Sequence, residues 1–557
     1  MATVRISRTL PHGEAEAYAS PRDDLMVAER PVPATAEAGP SEAGRAADGA
    51  TSVERHEFEG TDGPFTTWRR AVRLERGADG TTVVHEQTDF RLAIPVWGVL
   101  FGPLMRRQVA ARSAAIAGDD HRPWWSPPDR FDARASAVAA SCATLAVLGG
   151  FLGGLVGATL TYVGSEMDAG ARTQTTVLAV IRIGALLTLV GMILADRIGR
   201  RRVIRTSFVV AALAAGVGAL APDLVTVTAA QTVCRGAIAV GVILLAVVAA
   251  EEVPAGSRAF ILGLITLAGA LGVGGVIALL PVADLELWAW RGIWALGLVS
   301  IPITLRVVRD LPESRRFTAL VQPRPAGAAA PAEAPAPPVE ASPGGGHEGG
   351  LRARRLVAAS LIAMLLNLFA TPATQLQNEY LRTERGYSGI LLVLFIFGTN
   401  TWGGIGVILG GRLADRRSRH LAAMIGLTGL AIGNAIMFST SGWLMWAGSL
   451  VGSVVGAATI PSIGVLGPEL FPTRKRATAN GWINVAAVSG AVVGLWLAGW
   501  LIDRSGYATA LWWLTLAPLA VAVVMWWVPE TARHELEEIN DTQFDDDSSS
   551  ILPENAR

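Results

Sequence analysis

The chain has 557 residues, of which 51% are hydrophobic and only 17% are charged, and its mean hydropathy is +0.40. Its formal net charge is zero, so the charge balance does not predict a nucleic-acid partner. An apolar composition with runs long enough to cross a bilayer excludes an ordinary soluble protein and predicts an all-α membrane protein.

The stretch before the apolar segments, from Met1 to Arg130, is predicted to lie outside the membrane. Its first part, 1–52, has no apolar core behind a basic start, so we expect no signal peptide and a disordered segment. The second part, 53–130, is predicted to form a small α+β extension, a β-hairpin around Ala78-Asp-Gly followed by an amphipathic or interfacial helix that includes Arg106. Strands followed by such a helix resemble the end of a START-like lipid-binding fold, which leaves a lipid-binding role open.

Twelve apolar segments follow, six on each side of a stretch rich in Pro, Ala and Gly. Segments of about 20 apolar residues cross a bilayer as helices. They predict a six-helix bundle over 131–320, a disordered linker over 321–352, a second six-helix bundle over 353–530 and a tail over 531–557. The predicted spans are 136–162, 174–195, 203–221, 224–250, 259–281, 292–308, 355–375, 389–411, 420–439, 443–466, 479–502 and 510–528.

Arginine is concentrated in the loops on one side of the predicted bundle. An excess of Arg and Lys marks the cytoplasmic side of membrane proteins. An even number of spans then places both termini in the cytoplasm, and we expect a multi-pass protein of the plasma (inner) membrane.

Short charged motifs end the corresponding spans of both halves. The Leu-Ala-Asp-Arg stretch that contains Asp196 returns around Asp415, at an offset of 219 (415 − 196). A motif that begins at Glu251 returns at Glu469, at an offset of 218 (469 − 251), and Pro312-Glu-Ser returns as Pro529-Glu-Thr, at an offset of 217 (529 − 312). Such an internal duplication is typical of transporters built from two similar halves.

These motifs resemble those of the major facilitator superfamily, in particular its sugar-porter and metabolite–proton symporter branches, over residues 130–540. The copy after span 2 departs from the G-x-L-A-D-R-x-G-R-R pattern at Met192, and the copy after span 8 has Ser418 in place of a glycine. The resemblance implies that glutamates pair with loop arginines across the two halves and close the cytoplasmic side. The implied gate residues are Asp196, Arg197, Gly199, Arg200, Arg201, Glu251, Glu252, Arg258, Glu313, Arg315, Asp415, Arg416, Arg419, Glu469, Arg474, Arg476 and Glu530.

Two arginines inside predicted spans are the first candidates for substrate binding or coupling. Ionisable side chains are costly within a membrane, and they mark functional sites by default. Arg182 and Arg235 correspond to Thr401 and Ser453 in the second half, so neither charge is repeated. Arg235-Gly resembles a sugar-porter pair whose arginine binds an acid of span 1, but span 1 has no acid here. The counter-charge is therefore expected from an anionic substrate or from Glu379.

Span 7 supplies the remaining candidates, because spans 1, 4, 7 and 10 line the central cavity in the family that the chain resembles. Its polar side chains are interrupted by Pro372 and do not reproduce the order of the sugar porters. The candidates are Asn367, Gln375, Gln377, Asn378 and Glu379.

Together, these features predict a secondary active transporter of a small organic metabolite, favoured as a carboxylate or other anion. Protons are the expected coupling ion and Glu379 the best available carrier. Open alternatives are a sugar or polyol porter, a drug exporter and, in a different class, a non-transporting membrane sensor that uses the N-terminal extension. We expect a monomer that contacts the lipid bilayer and its substrate, with no enzymatic site, no cofactor and no metal.

Overall fold

A computed structural model of the protein describes residues 1–24, 26–32, 53–77, 80–114, 127, 129–254, 257–313, 345–464 and 473–528. Its first part is an antiparallel five-stranded sheet with the order β1-β5-β4-β3-β2, so the first strand pairs with the last. A short helix, α1 (His12–Ala15), follows the first strand. The strands are β1 (Ala2–Pro11), β2 (Ala28–Pro31), β3 (Val53–Asp62), β4 (Phe65–Arg76) and β5 (Thr81–Leu92).

The prediction of a disordered segment over 1–52 is wrong for the described residues before 33. β1 pairs with β5 from Ala2↔Phe90 to Pro11↔Thr81, and β2 pairs with β3. Because these strands gain their hydrogen bonds from partners that are distant in sequence, local composition did not reveal them. The predicted hairpin is present as β4 and β5, although Ala78 and Asp79 of its turn lie outside the described residues.

Helix α2 (Gly98–Ala114) packs against this sheet with its second half only. Val109 and Met105 contact an apolar cluster on the sheet that includes Trp68 and Phe90. The first turn of the helix leaves apolar side chains exposed. The sheet together with α1 and α2 is called the N-terminal module below.

The helices of the bundle account for every predicted span. They are α3 (Ala133–Glu166), α4 (Ala171–Ile183), α5 (Leu187–Ile198), α6 (Arg200–Ala219), α7 (Leu224–Glu252), α8 (Arg258–Ala278), α9 (Leu280–Ala283), α10 (Trp290–Leu296), α11 (Ser300–Asp310), α12 (Gly345–Gln375), α13 (Gln377–Thr383), α14 (Gly389–Asn400), α15 (Gly403–Arg416), α16 (Arg419–Ser439), α17 (Trp443–Gly456), α18 (Thr459–Gly464), α19 (Thr473–Leu514) and α20 (Leu516–Met525).

Ten helical segments of the described chain are long and apolar enough to cross a membrane. The segment Trp482–Met525 contains spans 11 and 12, because its backbone leaves the helical region at Gly506, where φ is +78°. The shorter helix α17 and α18 cover span 10. Each of the twelve predicted spans therefore has its own helical segment.

The two halves use the same internal packing. Span 1 (α3) packs on span 5 (α8), and span 7 (α12) packs in the same way on span 11 (within α19). A Cβ atom at Gly272 would collide with the carbonyl oxygen of Val147, and one at Gly490, the counterpart of Gly272 in the repeat, would collide with that of Met364. Without a hydrophobic force between helices in lipid, such close backbone contact is what holds the pairs together.

The helix of span 7 also corrects the linker boundary. Its first residue is Gly345, within the predicted linker 321–352, although the apolar part that crosses the membrane begins only at Arg354. Residues 314–344 and the predicted tail 531–557 lie outside the described residues.

Candidate functional site

The candidate site is a cavity of about 670 Å³ between the two halves. We call the end of the bundle that carries Gly199 and Glu313 the motif face, and the end that carries Glu166 and Asp284 the distal face. Span 1 lines the cavity with glycines, among them Gly153 and Gly157, and most other lining residues are apolar. The polar or charged residues that line it are Arg235, Thr266, Thr374, Gln375, Gln377, Asn378 and Asn400.

Arg235 is the only charged residue that lines the cavity in the described part of the chain. Its Nη1 atom is 3.5 Å from the carbonyl oxygen of Gly153, a weak contact, and no carboxylate of the described residues forms an ion pair with it. Arg182 of span 2 is near enough for the two positive charges to repel each other. Spans 2 and 4 approach closely here, since a Cβ atom at Gly236 would meet the carbonyl oxygen of Gly184 at 2.6 Å.

Glu379 does not provide the counter-charge for Arg235, which corrects one of the two expected sources. It lies on the short helix α13, beyond the segment of span 7 that crosses the membrane, and it is only 6% exposed. Its carboxylate accepts hydrogen bonds from Thr161 Oγ1 at 2.7 Å and from Gln174 Nε2 at 3.1 Å, both in the other half. Burial raises the pKa of the Glu379 carboxyl group, and these hydrogen bonds, with a further one from Tyr507, lower it in part.

Asp284 makes a second connection between the halves at the distal face. Its carboxylate accepts hydrogen bonds from Arg382 Nη1 at 2.9 Å and from the backbone N–H of Gly389, both in the second half. It also accepts a bond from Tyr162 of its own half at 3.0 Å. The guanidinium carbon of Arg382 lies 3.9 Å from the centre of the Tyr162 ring. Polar contacts across the halves thus close the cavity on its distal side.

At the motif face three glutamates of the gate prediction bind groups of the first half. Glu313 accepts hydrogen bonds from the backbone N–H groups of Arg200 (3.1 Å) and Arg201 (3.3 Å), at the start of α6, where a helix attracts negative charge. Glu251 forms an ion pair with Arg200. Glu252 forms one with Arg134 at 2.8 Å, and its side chain is fully buried.

The predicted pairing between glutamates of one half and arginines of the other stays a prediction, because most of these residues lie outside the described part of the chain. Each described pair joins spans of the same half, because the glutamates at the ends of spans 4 and 6 lie beside the start of spans 1 and 3. Arg197 is exposed, and Gly199 has φ +96°, a conformation that favours glycine. The remaining gate predictions concern residues or side chains outside the described part of the chain, apart from Arg419 at the start of α16: Asp196, Arg258, Arg315, Asp415, Arg416, Glu469, Arg474, Arg476 and Glu530.

The structure brings together most of the candidates predicted from the sequence. Gln375, Gln377, Asn378 and Arg235 line one cavity, whereas Asn367 donates a hydrogen bond to the carbonyl oxygen of Ala363 within its own helix and does not line it. Arg182 does not line the cavity, but it is near enough to Arg235 for the two charges to repel each other.

Other polar lining residues were not among the chosen candidates. Thr266 and Thr374 did not stand out, because threonine is common in apolar helices and carries no charge. The glycines of span 1 have no side chain that could indicate a site. The sequence nevertheless held a signal for Gly157, because this residue corresponds in the repeat to Gln375, which was a candidate. The structure places the two residues in contact.

Comparison with known proteins identifies the family that this architecture represents. The model of the Major Facilitator Superfamily matches residues 139–420 and 356–544, most of the membrane-spanning part of the chain. A gallate transporter of Pseudomonas putida is 29% identical over 131 residues, which are 23% of this chain and 29% of the relative. A triacylglyceride transporter of Mycobacteroides abscessus is 35% identical over 122 residues, 21% of this chain and 24% of the relative. The chain thus matches less than a third of the length of these curated relatives.

Solved structures show the same fold over a much larger part of the chain. The inward-open xylose transporter XylE of Escherichia coli superposes with a TM-score of 0.58 at 16% sequence identity. The superposition covers 73% of this chain and 99% of that protein, so the fold is shared from end to end of the bundle.

Proposed function

Since the chain belongs to the major facilitator superfamily, whose members are transporters and not enzymes, we propose that it carries a small organic anion by alternating access. The observation that supports a negatively charged substrate is Arg235, a guanidinium group that lines an apolar cavity and has no carboxylate partner among the described residues. A charge in such surroundings is costly unless an opposite charge compensates it. A carboxylate offers two oxygens to the planar guanidinium and matches its geometry.

Two further observations favour a carboxylate of metabolite size. The cavity, about 670 Å³, lies within the range of pockets that hold small molecules, roughly 300–1,000 Å³. Amide groups of Gln375, Gln377 and Asn378 line the wall contributed by span 7 and its extension, where they can bind hydroxyl or carboxyl oxygens of the same substrate. One relative, the gallate transporter, is named for a substrate that carries a carboxylate.

Glu379 is the proposed proton carrier. It lies at the contact between the halves, so its surroundings change whenever the halves separate on the distal side. A carboxyl group that is buried in one state and hydrated in the other binds a proton more tightly in the buried state. Proton binding and closure of the distal face are then coupled, as a proton-driven transporter requires.

The protein is proposed to lie in the plasma membrane with its motif face towards the cytoplasm. The arginine excess in the loops of this face supports that orientation. In this orientation the contacts of Glu379 and Asp284 close the outer side of the bundle.

The test is uptake by the purified chain in proteoliposomes, with radiolabelled carboxylates and neutral sugars and with or without a pH gradient. For a transported carboxylate, Arg235→Ala is expected to raise KM about ten- to hundred-fold, since a hydrogen bond to a charged group is worth about 1.5–3 kcal/mol. Ser453→Ala, at the position that corresponds to Arg235 in the second half, is the matched control and is expected to leave KM within twofold.

A sugar porter is the second candidate, because the amide-rich wall of the cavity also suits a polyhydroxylated substrate. The same assay separates the two. If neutral sugars are transported, carboxylates do not compete and Arg235→Ala is without effect, the anion proposal fails. Failure of every substrate in both orientations, with correctly folded protein, would favour the sensor alternative.

A further inference from the structure

A patch of exposed apolar side chains lies where the N-terminal module meets the bundle. Val96 is 67% exposed, Val99 89% and Leu100 67%, and the neighbouring Phe101 is 38% exposed. They occupy the turn before α2 and its first helical turn, which contribute no side chains to the apolar cluster that the second half of the helix forms with the sheet. Exposed residues of this size in one short segment are typical of an interaction surface.

The segment is fixed to the membrane-spanning part by the tryptophan at its centre. Trp97 donates hydrogen bonds from Nε1 to Thr144 Oγ1 at 2.9 Å and to the carbonyl oxygen of Ala140 at 3.2 Å, both in span 1. At a rise of about 1.5 Å per residue, Ala140 and Thr144 lie about 10 and 16 Å from the start of α3. The contact therefore holds the patch against the side of the bundle.

The length of α3 places that contact at the membrane boundary. The helix has 34 residues and is about 51 Å long, whereas the hydrocarbon core of a bilayer is about 30 Å thick. An overhang of about 10 Å at each end brings Ala140 to the edge of the hydrocarbon on the motif face. Tryptophan is enriched at this depth, where its ring is apolar and its N–H is satisfied.

The module is held in this position by the segment that leads into span 1, which binds both the module and the first half. Arg130 forms ion pairs with Asp62 at 3.0 Å and with Asp23 at 2.7 Å, both in the module. The preceding residue, Asp129, accepts a hydrogen bond from Ser257 Oγ at 3.2 Å, and its backbone N–H donates to the same hydroxyl group. The module and the loop before span 5 are therefore one connected unit on the motif face.

We propose that Val96, Val99, Leu100 and Phe101 insert into the motif-side leaflet of the bilayer and anchor the N-terminal module to the membrane surface. Trp97 ties the patch to span 1 at the membrane boundary, so lipid beside this end of the bundle can cover the patch. The side chains of Arg106 and Arg107, one to two turns further along α2, are exposed. With the patch in the leaflet, they are expected to meet the lipid phosphates. Basic side chains beside an apolar patch add attraction to the anionic lipids of the membrane surface.

The test measures the depth of the patch in the full-length protein. Val99→Cys is labelled with an environment-sensitive fluorophore, reconstituted in phosphatidylcholine–phosphatidylglycerol vesicles and quenched by lipids that carry a spin label on an acyl chain. The matched control is Thr9→Cys, an exposed residue opposite Val83, roughly 30 Å along β5 from the Leu92 end at about 3.3 Å per residue. Native Cys142 and Cys234 are buried, and the wild-type protein labelled in parallel gives the background.

Quenching at position 99 is expected to be at least threefold stronger than at position 9, with a blue-shifted emission. Equal quenching at the two positions overturns the proposal. A blue shift without lipid quenching, which grows with the protein-to-lipid ratio, also overturns it and assigns the patch to contact between copies of the chain. The measurement does not depend on the substrate, so failure of the transport proposal leaves its result interpretable.

Discussion

At the scale of single residues, two contacts between the halves follow the internal repeat. Thr161 bonds to Glu379, and Gly157 contacts Gln375, and in both pairs the partners occupy corresponding positions of the two halves. Corresponding positions of spans 1 and 7 therefore meet at the pseudo-twofold axis. The two halves differ chemically at these two contacts, because a carboxylate faces a hydroxyl group in one and a glutamine faces a glycine in the other.

Glu379→Gln is expected to remove the pH dependence of the distal face. Burial in the closed interface raises the pKa of the Glu379 carboxyl above that of the hydrated open state. Low pH therefore favours the closed state, and the preference is lost as the pH rises above the raised pKa. At pH values between the pKa of Glu379 in the open state and its higher pKa in the closed state, the ratio of closed to open protein changes by up to about tenfold per pH unit.

The measurement is the distance distribution between spin labels at Arg172→Cys and Ser441→Cys, two exposed distal-face positions in different halves. Glu286→Gln, an exposed distal residue, is the control and is expected to keep the pH response. A Glu379→Gln protein whose distances still change with pH as in the wild type would assign proton coupling to another group.

At the scale of helices, glycine decides how closely the paired spans approach. Gly272 of span 5 and Gly490 of span 11 correspond in the repeat, and each faces a backbone carbonyl oxygen of its partner helix. A methyl group at either position cannot be accommodated by a side-chain rotation, since the colliding atom belongs to the backbone. The partner helix has to move.

Gly272→Ala is expected to destabilise the bundle by about 1–3 kcal/mol, the usual cost of overpacking. Thermal unfolding in detergent, followed by the fluorescence of a thiol-reactive dye at buried Cys142, measures the effect. Gly263→Ala is the matched control in the same helix, because a Cβ atom there meets no atom within 4 Å. Equal melting temperatures for the two variants would contradict the close-contact explanation.

The sequence predicts a structural feature of this protein when that feature depends only on residues that are close together in the chain. Each of the twelve apolar runs lies on helical segments of the described chain, because hydrophobicity over about 20 residues is sufficient to locate a candidate membrane helix. The strand Ala2–Pro11 was missed, because it depends on pairing with residues 81–90. The position of Glu379 was equally unpredictable: its side chain is near the end of span 7, and only the packing of the halves directs it to Thr161 and Gln174 rather than to Arg235.

The departure of the motif from the repeat also has a local explanation. Gly199 needs φ +96°, whereas Ser418, in the corresponding loop, has φ −163° and accepts a hydrogen bond from the N–H of Leu421. The serine caps the start of span 9 with its own side chain. Gly199 has no side chain that could do this, and in the first half Glu313, at the end of span 6, accepts the hydrogen bond from the start of the helix instead. No local sequence pattern predicted this difference between the halves.

At the scale of the whole molecule, the two faces differ in which halves they connect. The described hydrogen bonds that join the two halves lie at the distal face, and the ion pairs of Glu251 and Glu252 at the motif face join spans of the first half. A rocking motion that opens the distal face therefore breaks the bonds of Asp284 and Glu379, and it leaves the first half and the module intact as a unit.

Asp284→Asn is expected to shift the protein towards the state with an open distal face. The substitution removes the charge that attracts Arg382 and weakens the bond to the backbone of Gly389. With both partners about 29% exposed, the loss is about 1–2 kcal/mol, or roughly a five- to thirty-fold change in the ratio of the two states.

The label pair at Arg172→Cys and Ser441→Cys reports the shift towards the open state as a longer distance population. Glu286→Gln again serves as the control, and it separates this effect from a general loss of negative charge. Distances that stay at the wild-type values would mean that the packing of spans 2 and 11, rather than Asp284, holds the distal face closed.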